Sequence, residues 1–276
     1  MERFKTKVVV ITGAGSGLGR GLVLEFARLG WKIAVCDVEG GRAEESARRA
    51  DEAGGEGFAV HCDVTRPEEV EDLAERVLAR WGGAEIVVNN AGVPVVGYFE
   101  KIALEDWRYA LDQLLMSVIY GCRVFVPIFK KQGRGHIVNT ASAAGITPLP
   151  EMSPYNAAKA GVIALSETLR NEVKGSGIGV TVLCPSFFKT NLLERMRYTD
   201  ERQLRMAEAF FEKFSFGTVE SVSRSALDAI RKNRLYALPQ PDIKILSFLK
   251  RMAPATSSRL AGFLYTRGLI DRILGI

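Results

Sequence analysis

Residues 7–30, KVVVITGAGSGLGRGLVLEFARLG, decide the fold of this protein. They begin with an unbroken apolar run over residues 7–12, which predicts a strand that is buried on both faces. The glycine-rich turn TGAGSGLG, residues 12–19, leads directly into residues 17–30, where apolar side chains recur at helical spacing. A buried strand, a tight turn and an amphipathic helix in succession indicate the first unit of a parallel α/β sheet.

Strand-like and helix-like segments alternate through the rest of the chain. The further predicted strands are residues 31–37, 58–62, 85–89, 136–141 and 179–184. The further predicted helices are residues 41–53, 67–81, 107–131 and 155–174. This alternation predicts an α/β fold with a single doubly wound, Rossmann-like parallel sheet flanked by helices. We assign residues 1–239 to one domain with a helical lid near residues 187–216. Residues 240–276 form a predicted helical C-terminal extension, packed on the same domain or on a sister subunit.

The composition is that of an ordinary globular protein, with 47% hydrophobic and 25% charged residues. The net charge is +5, and six basic against two acidic residues place +4 of it in residues 240–276. The remaining body is close to neutral, which argues against nucleic-acid binding. Two histidines and four widely spaced cysteines predict no metal site and buried, reduced thiols. Residues 1–7 do not resemble a signal peptide and no apolar run reaches about 18 residues, so we expect a cytoplasmic protein.

The glycine-rich turn is a candidate site for a dinucleotide. Its glycines let backbone N–H groups approach a pyrophosphate, and the N-terminus of the next helix adds positive potential, although a turn that only connects two elements stays an alternative. Asp37, 18 residues after Gly19, can accept hydrogen bonds from both adenosine ribose hydroxyls and would repel a 2′-phosphate, unless it merely caps the next helix. Because Ser16 supplies no cation, the pattern favours NAD over NADP, while the nearby Arg42 leaves NADP open.

Tyr155 and Lys159 lie one helical turn apart and so share a face. A phenol has an unperturbed pKa of about 10, which a neighbouring ammonium and a positive nicotinamide would lower, so this tyrosine can act as a general acid or base. Such a pair is common by chance on helix surfaces. Here, however, Ser142 follows a predicted strand and can hold a substrate oxygen against the phenol. Residues 89–92 and 185–186 also follow strands, and open α/β sheets bind ligands at the carboxyl ends of their strands.

Together these motifs resemble the short-chain dehydrogenase/reductase family over residues 5–240. The ordered set is TGxxxGxG, Asp37, Asp63-Val64, NNAG (residues 89–92), Ser142, Tyr155-x-x-x-Lys159 and residues 185–190. The resemblance implies a nicotinamide cofactor with Asp63 and Val64 at its adenine and Lys159 at the nicotinamide ribose. The full predicted cofactor-binding set is Gly13, Ser16, Gly17, Leu18, Gly19, Asp37, Val38, Asp63, Val64, Asn90, Ala91, Gly92, Tyr155, Lys159, Pro185, Ser186, Phe188 and Thr190. The predicted catalytic set is Ser142, Tyr155 and Lys159.

The chain departs from the family pattern at two positions. Leu114 stands where the family usually has an asparagine that helps to hold a water in a proton relay to the lysine. An isobutyl group cannot hydrogen-bond, so Leu114 puts this relay in doubt and keeps a catalytically weakened, nucleotide-binding regulatory protein as an alternative. Ser186 stands where glycine is usual, which is a milder departure because Pro185 and Thr190 remain.

The substrate side carries less specific signals. Residues 187–216 are rich in aromatic residues and methionines, which suits a cover over a bulky apolar alcohol or ketone, although packing of the lid on the body would also explain them. The extension has two apolar-basic segments, residues 243–252 and 259–273, broken at Pro254. Packing on the body or a sister subunit, reversible attachment to an anionic membrane, and disorder all stay open for it.

We therefore predict an NAD(H)-dependent oxidoreductase that interconverts a small hydrophobic secondary alcohol and its ketone by hydride transfer. This is an alcohol dehydrogenase or ketone reductase, expected as a homodimer or homotetramer. A membrane-associated dehydrogenase of lipids, steroids or retinoids is a further alternative, in which the extension makes the cytoplasmic protein peripheral to a membrane.

Overall fold

The computed structural model describes Met1 and residues 3–276 of the chain. The strands are β1 (Val8–Thr12), β2 (Lys32–Asp37), β3 (Glu56–His61), β4 (Ile86–Asn89), β5 (Val95–Val96), β6 (Gly135–Thr140), β7 (Ile178–Leu183), β8 (Arg197–Tyr198) and β9 (Tyr236–Ala237). The helices are α1 (Gly17–Ala27), α2 (Gly40–Glu52), α3 (Pro67–Trp81), α4 (Leu104–Leu111), α5 (Ser117–Gln132), α6 (Ala143–Ile146), α7 (Ser153–Glu172), α8 (Glu201–Lys213), α9 (Val219–Arg231), α10 (Pro241–Met252), α11 (Pro254–Thr266) and α12 (Leu269–Leu274). A π-helical turn, Asp112–Met116, joins α4 to α5.

Seven strands form one parallel sheet in the order β3-β2-β1-β4-β6-β7-β9. β1 lies inside the sheet and all five of its residues are buried, as its unbroken apolar sequence requires. The strand order reverses between β1 and β4, so the chain leaves a crevice at the carboxyl ends of these two strands. This crevice positions the site described below.

Helices cover both faces of the sheet. On one face α1, α2 and α9 bury a cluster that includes Phe26, Trp31 and Ile230, and the rings of Phe26 and Trp31 meet edge to face at 5.0 Å. On the other face α3, α5 and α7 bury a second cluster around Phe125 and Phe129. The prediction of a doubly wound α/β fold is confirmed.

The predicted strands are all present within two residues of their expected bounds. β9 was not predicted, because two residues carry no periodicity, and α9 was not predicted either, although Val222, Ala226 and Ile230 are its buried stripe. The extension is helical in α10, α11 and α12, so the disorder hypothesis does not hold. α10 contacts α6, and α12 contacts α8 of the lid.

The stretch Leu104–Gln132 is long and apolar enough to cross a membrane by length and composition alone, because an 18-residue window within it has a mean hydropathy of 1.4. The expectation that no segment reaches this length was therefore wrong. The inner side of this stretch packs on the sheet through Phe125 and Phe129, which are both buried. It is thus a core helix of the α/β domain whose outer side is only half covered.

Candidate active site

One cavity of about 720 Å³ occupies the crevice at the carboxyl ends of the strands. Every residue of the predicted cofactor-binding and catalytic sets lines it. The fold therefore brings together side chains that lie up to 177 residues apart in the sequence, from Gly13 to Thr190. One half of the cavity is bounded by the glycine-rich turn and Asp37, and the other by the lid and the extension.

The glycine-rich turn forms the nucleotide end of the cavity. Gly13 has a φ of +62°, and a Cβ at this position would lie 2.7 Å from the Ala91 Cα, so only glycine fits. α1 begins at Gly17, and the side chain of Ser16 does not cap it. The first N–H groups of α1 are thus free of a side-chain acceptor at a cavity wall made of backbone. This cradle fits a dinucleotide pyrophosphate.

The Asp37 carboxylate is held at the end of β2 by two backbone amides. Its Oδ2 accepts a hydrogen bond from Gly15 N at 2.8 Å, and its Oδ1 accepts one from Glu39 N at 3.0 Å. Each oxygen keeps a second lone pair, which suits a pair of ribose hydroxyls. α2 has no side-chain cap, so Asp37 does not serve the capping role that the sequence left open.

Backbone hydrogen bonds also fix Asn90 and Asp63. Asn90 Nδ2 donates to Thr12 O at 3.0 Å, and Asn90 N donates to Thr12 Oγ1 at 2.9 Å, which ties the end of β4 to the end of β1. Asp63 Oδ1 accepts from Thr65 N at 2.9 Å. The Asp63 carboxylate is therefore engaged within its own loop, next to Val64 in the cavity wall.

Four charged side chains bridge the nucleotide end and the lid, which the sequence analysis did not foresee. Arg42 pairs with Glu39 at 2.8 Å and with Glu194 of the lid at 3.1 Å. Glu39 also pairs with Arg195 of the lid. Only the Glu39–Arg42 spacing is visible in the sequence; the lid contacts depend on the fold. Arg42 is thus already engaged by two carboxylates.

The three predicted catalytic residues lie together at the centre of the cavity. Tyr155 is in the first turn of α7 and Lys159 one turn later, and both are buried. Lys159 Nζ donates to Thr140 O at 2.7 Å and lies 5.8 Å from the centre of the Tyr155 ring. Ser142 Oγ accepts from Ala144 N at 3.2 Å, which fixes Ser142 at the start of α6.

Burial controls the protonation of this group. It raises the pKa of Tyr155, and the neighbouring Ser142 hydroxyl acts in the opposite direction. Burial also lowers the pKa of Lys159 to about 8. We expected the neighbouring ammonium to lower the phenol pKa, but burial of Tyr155 raises that pKa instead. A positive nicotinamide bound in the cavity would add to the lowering of this pKa that the Ser142 hydroxyl already exerts.

A buried polar network sets the register of α7. Asn89 Nδ2 donates to Asn139 Oδ1 at 2.9 Å, and Asn139 Nδ2 donates to Ser166 Oγ at 3.0 Å. These bonds join β4, β6 and α7. They hold the helix that carries Tyr155 at a fixed height over the strand ends.

Leu114 is buried in the π-helical turn Asp112–Met116. A Cβ on Gly92 would lie 2.7 Å from Leu114 Cδ2 and 3.8 Å from Lys159 Nζ, so the isobutyl group and the ammonium approach the same backbone position. The π turn opens the helix locally, and such turns are frequent at functional sites because they free backbone groups. The local opening that a relay without the asparagine requires is therefore present.

We predict that Leu114→Asn raises kcat and shrinks the solvent deuterium isotope effect, because an amide at this position can hold the missing water beside Lys159. The gain is about 10²-fold or less, the low end for acid–base effects. The measurement is kcat across pH in H₂O and D₂O, with Leu114→Ala as the control that removes volume without adding an amide. An unchanged isotope effect in Leu114→Asn would mean that the proton leaves by another route.

Residues 185–190 close the nicotinamide end. Ser186 N donates to Gln240 Oε1 at 3.1 Å, while Ser186 Oγ is buried with no hydrogen-bond partner among residues 1 and 3–276. A buried hydroxyl without a partner costs about 1–3 kcal/mol. Ser186 Oγ therefore fits a polar group of a bound cofactor, and the departure from glycine adds a hydrogen-bonding group to the site.

The extension also lines the cavity, a role that the sequence analysis did not assign to it. Its lining side chains are Leu246, Leu249, Leu260, Leu264, Tyr265 and Ile270, together with Asp242, Ser257 and Ala261. Their apolar pattern was visible in the sequence, but it does not distinguish a cavity wall from ordinary packing.

An ion-pair network fastens the extension to the loop before Tyr155. Arg202 bridges Glu151 at 2.9 Å and Asp271 at 2.7 Å, and Tyr265 OH donates to Glu151 Oε1 at 3.0 Å. Glu151 is buried with a φ of +62°, so this network holds a strained residue in place.

Comparison with known proteins identifies the family. The family model described as "short chain dehydrogenase" matches residues 7–201. The chain is a short-chain dehydrogenase/reductase. It is 33% identical over 260 residues to the "Probable oxidoreductase EphD" of Mycobacterium tuberculosis, covering 91% of this chain but 44% of EphD. This short-chain dehydrogenase/reductase thus spans less than half the length of that relative.

Two further matches cover a larger share of the matched protein. The chain is 33% identical over 229 residues to the "3beta-hydroxysteroid dehydrogenase 1" of Eggerthella lenta, covering 82% of this chain and 87% of the relative. It matches the crystal structure of a short-chain dehydrogenase/reductase from Burkholderia phymatum in complex with NAD with a TM-score of 0.84, 33% identity and coverage of 92% and 95%. The relatives that this short-chain dehydrogenase/reductase matches are thus named as oxidoreductases, and one of the matching structures holds NAD.

Proposed function

We propose that this protein is an NAD(H)-dependent oxidoreductase that interconverts a hydrophobic secondary alcohol and its ketone. The observation that carries the proposal is one cavity that joins a dinucleotide cradle at one end to an apolar chamber at the other, with Tyr155, Ser142 and Lys159 between them. A reaction between cofactor and substrate needs its acid–base group at that junction.

The side chains have separate tasks in this reaction. When bound, the nicotinamide supplies or accepts the hydride. Ser142 donates to the substrate oxygen and aligns it with Tyr155, whose phenol gives its proton to the oxygen of the ketone in reduction and whose phenolate takes the proton of the alcohol in oxidation. Lys159, held by Thr140 O, binds the ribose and carries positive charge next to the phenol at neutral pH.

The charges at the nucleotide end support NAD over NADP. Asp37 offers a carboxylate to the ribose, and Glu39 adds a second one nearby. Arg42 is the cation that would bind a 2′-phosphate, but Glu39 and Glu194 already engage it. The structure from Burkholderia phymatum also contains NAD.

We predict that the unaltered protein binds NAD(H) more tightly than NADP(H), and that Asp37→Ser weakens NAD(H) binding by about tenfold to a hundredfold. The reason is the loss of hydrogen bonds to a charged acceptor, worth about 1.5–3 kcal/mol. Titration calorimetry with both cofactors measures this, and Glu44→Ser, an exposed carboxylate of the same helix region, is the control. Equal or tighter binding of NADP(H) by the unaltered protein contradicts the assignment.

The substrate chamber suits a bulky apolar molecule. Phe187 stacks on Phe210 at 5.0 Å and meets Phe211 edge to face at 5.5 Å, and all three line the cavity. The leucines of the extension complete the wall. The name of the Eggerthella relative, a hydroxysteroid dehydrogenase, is consistent with a chamber of this kind.

The test is absorbance at 340 nm with a panel of secondary alcohols and ketones of increasing size and apolarity, each with NAD(H) and NADP(H). We expect kcat/KM to rise with apolar size up to the limit of the chamber. Inactivity with every substrate, also after Leu114→Asn, would instead favour the catalytically weakened, nucleotide-binding regulatory protein, which the buried Leu114 keeps as the second candidate.

We also propose a homodimer or homotetramer located in the cytoplasm. The outer side of α5 supports an assembly, because Ile119 and Val124 are only half-buried and Pro127 is exposed. Light scattering of the purified protein measures the oligomer, and a monomer at micromolar concentration would contradict it. Fractionation of the source cells tests the location.

A further inference from the structure

The two helices α10 and α11 of the extension present an apolar outer face. The large side chains on it are 50–70% exposed, namely Ile245, Phe248, Leu249, Met252, Leu260 and Phe263. Single exposed apolar side chains are ordinary, but a group of six on two adjacent helices indicates a surface that something else covers. We call this group the tail face.

Basic side chains flank the tail face. Lys244, Lys250, Arg251 and Arg259 form no salt bridge in the described part of the chain, and Lys244, Arg251 and Arg259 are exposed. Of the two acidic residues in the extension, Asp271 is neutralised by Arg202 at 2.7 Å. The tail face therefore carries a positive rim, which complements an anionic surface.

The cavity reaches this face. Leu246, Leu249 and Leu260 line the cavity and are also 42–56% exposed. The same leucines thus form part of the chamber wall and part of the outer surface. An apolar molecule at the tail face has a continuous apolar path towards Tyr155.

The tail face is also firmly attached to the catalytic body. Arg202 bridges the extension and Glu151, and Lys213 Nζ donates to Leu274 O at 2.6 Å. These contacts anchor α12; α11 is held by Tyr265 OH, which donates to Glu151 Oε1 at 3.0 Å, and α10 packs against α6.

We propose that the tail face docks on the surface of an anionic lipid bilayer, so that the apolar alcohol or ketone passes from the lipid directly into the cavity. An amphipathic helix pair with a basic rim partitions into the headgroup region of such a membrane. A second copy of the chain fits less well, because a twofold contact would bring the two positive rims together. The docking is inferred only from the exposed apolar and basic side chains of the tail face. The transfer of substrate rests also on the proposed function.

Co-sedimentation of the full chain with vesicles tests the docking. We expect binding to vesicles of phosphatidylcholine with about one third phosphatidylserine, and weak binding to phosphatidylcholine alone. Replacing Lys244, Lys250 and Arg259 with glutamine should weaken binding by about a hundredfold, since each basic residue near an anionic surface contributes about fivefold. Phe248→Ser with Met252→Ser should also weaken it, whereas Leu104→Ser, an equally exposed leucine far from the tail, should not.

Three results would overturn the proposal. The first is no binding of the unaltered protein to the anionic vesicles, and the second is an equal loss of vesicle binding in Leu104→Ser and in the tail variants. The third is a change of oligomeric state in the tail variants, measured by light scattering, which would assign the face to a second copy. Retained NAD(H) affinity shows that the variants are folded. Vesicle binding is measured without substrate, so its failure leaves the proposed reaction standing, and an inactive protein that still binds vesicles contradicts only the reaction.

Steady-state kinetics tests whether the substrate passes from the lipid into the cavity. With a long-chain 2-alkanol dissolved in the anionic vesicles, the glutamine variant should show a raised apparent KM, whereas a short, water-soluble 2-alkanol should give the same KM in both proteins. Equal KM values for the vesicle-borne alcohol would overturn substrate transfer from the lipid.

Discussion

Tyr155→Phe is expected to reduce kcat by about 10²–10⁴-fold, the range for loss of a positioned general acid or base. The ring of the variant still fills its buried site on α7, and only the hydroxyl is lost. Binding of NAD(H) should stay within a few-fold, because the cradle of Gly13, Gly17 and Asp37 does not involve the phenol. The measurement is steady-state turnover at 340 nm with cofactor affinity by titration calorimetry.

The control for this variant is Tyr120→Phe, which removes a phenol of α5 outside the cavity and should keep full turnover. The pH dependence gives a second check. Burial raises the pKa of Tyr155, so its phenol is protonated at neutral pH, which is the form that ketone reduction needs. Alcohol oxidation needs the phenolate and should therefore rise with pH while reduction falls. A Tyr155→Phe protein with most of its kcat would assign the proton transfer to another group.

Lys159→Met is expected to change the pH dependence of stability by about 3 kcal/mol. Burial lowers the pKa of Lys159 to about 8 from 10.5, and a shift of 2.5 units corresponds to about 3 kcal/mol. Below pH 8 the folded protein holds a buried ammonium, so folding bears the full desolvation cost. Between pH 8 and 10.5 the folded state has lost this proton and the unfolded state has kept it, so the free energy of unfolding rises with pH.

The Lys159→Met variant has no ammonium at this position, so it lacks this pH-dependent contribution to the free energy of unfolding. Its stability relative to the unaltered protein should therefore be highest at pH 7 and fall by about 3 kcal/mol towards pH 10.5, with a constant offset for the lost bond to Thr140 O. Urea unfolding at three pH values measures the difference. Lys174→Met, at an exposed position beyond the end of the same helix, should show no such trend. A pH-independent difference for Lys159→Met would mean that the lysine is not desolvated.

Much of the sheet and of the nucleotide end was predictable from the sequence, because both depend on local patterns. β1 and its turn are visible as an apolar run followed by glycines. The carboxyl ends of parallel strands then meet at one edge, whatever the packing details, which placed Asp37, Asn90 and Ser142 in one crevice. The topology of the sheet alone is enough to bring together side chains that lie at strand ends.

The features that the sequence did not predict depend on tertiary contacts. The Glu151–Arg202–Asp271 network joins residues with no spacing rule between them, and the role of the leucines of α10 and α11 as a cavity wall requires knowing where those helices lie. The raised pKa of Tyr155 was also missed, because desolvation is set by the depth of burial, whereas the spacing to Lys159 suggested only the charge effect.

The network around Glu151 has a consequence for the order of assembly during synthesis. The loop that leads into the helix of Tyr155 is held in a strained conformation by Arg202 and by Tyr265, and Arg202 is in turn paired with Asp271. The glycine-rich turn and Asp37, by contrast, lie at the ends of β1 (Val8–Thr12) and β2 (Lys32–Asp37), early in the chain. On the ribosome, the glycine-rich turn and Asp37 thus emerge early, while the chamber beside Tyr155 stays open until residue 271 has emerged and folded back. The growing chain contains the residues of this turn well before it acquires a closed chamber.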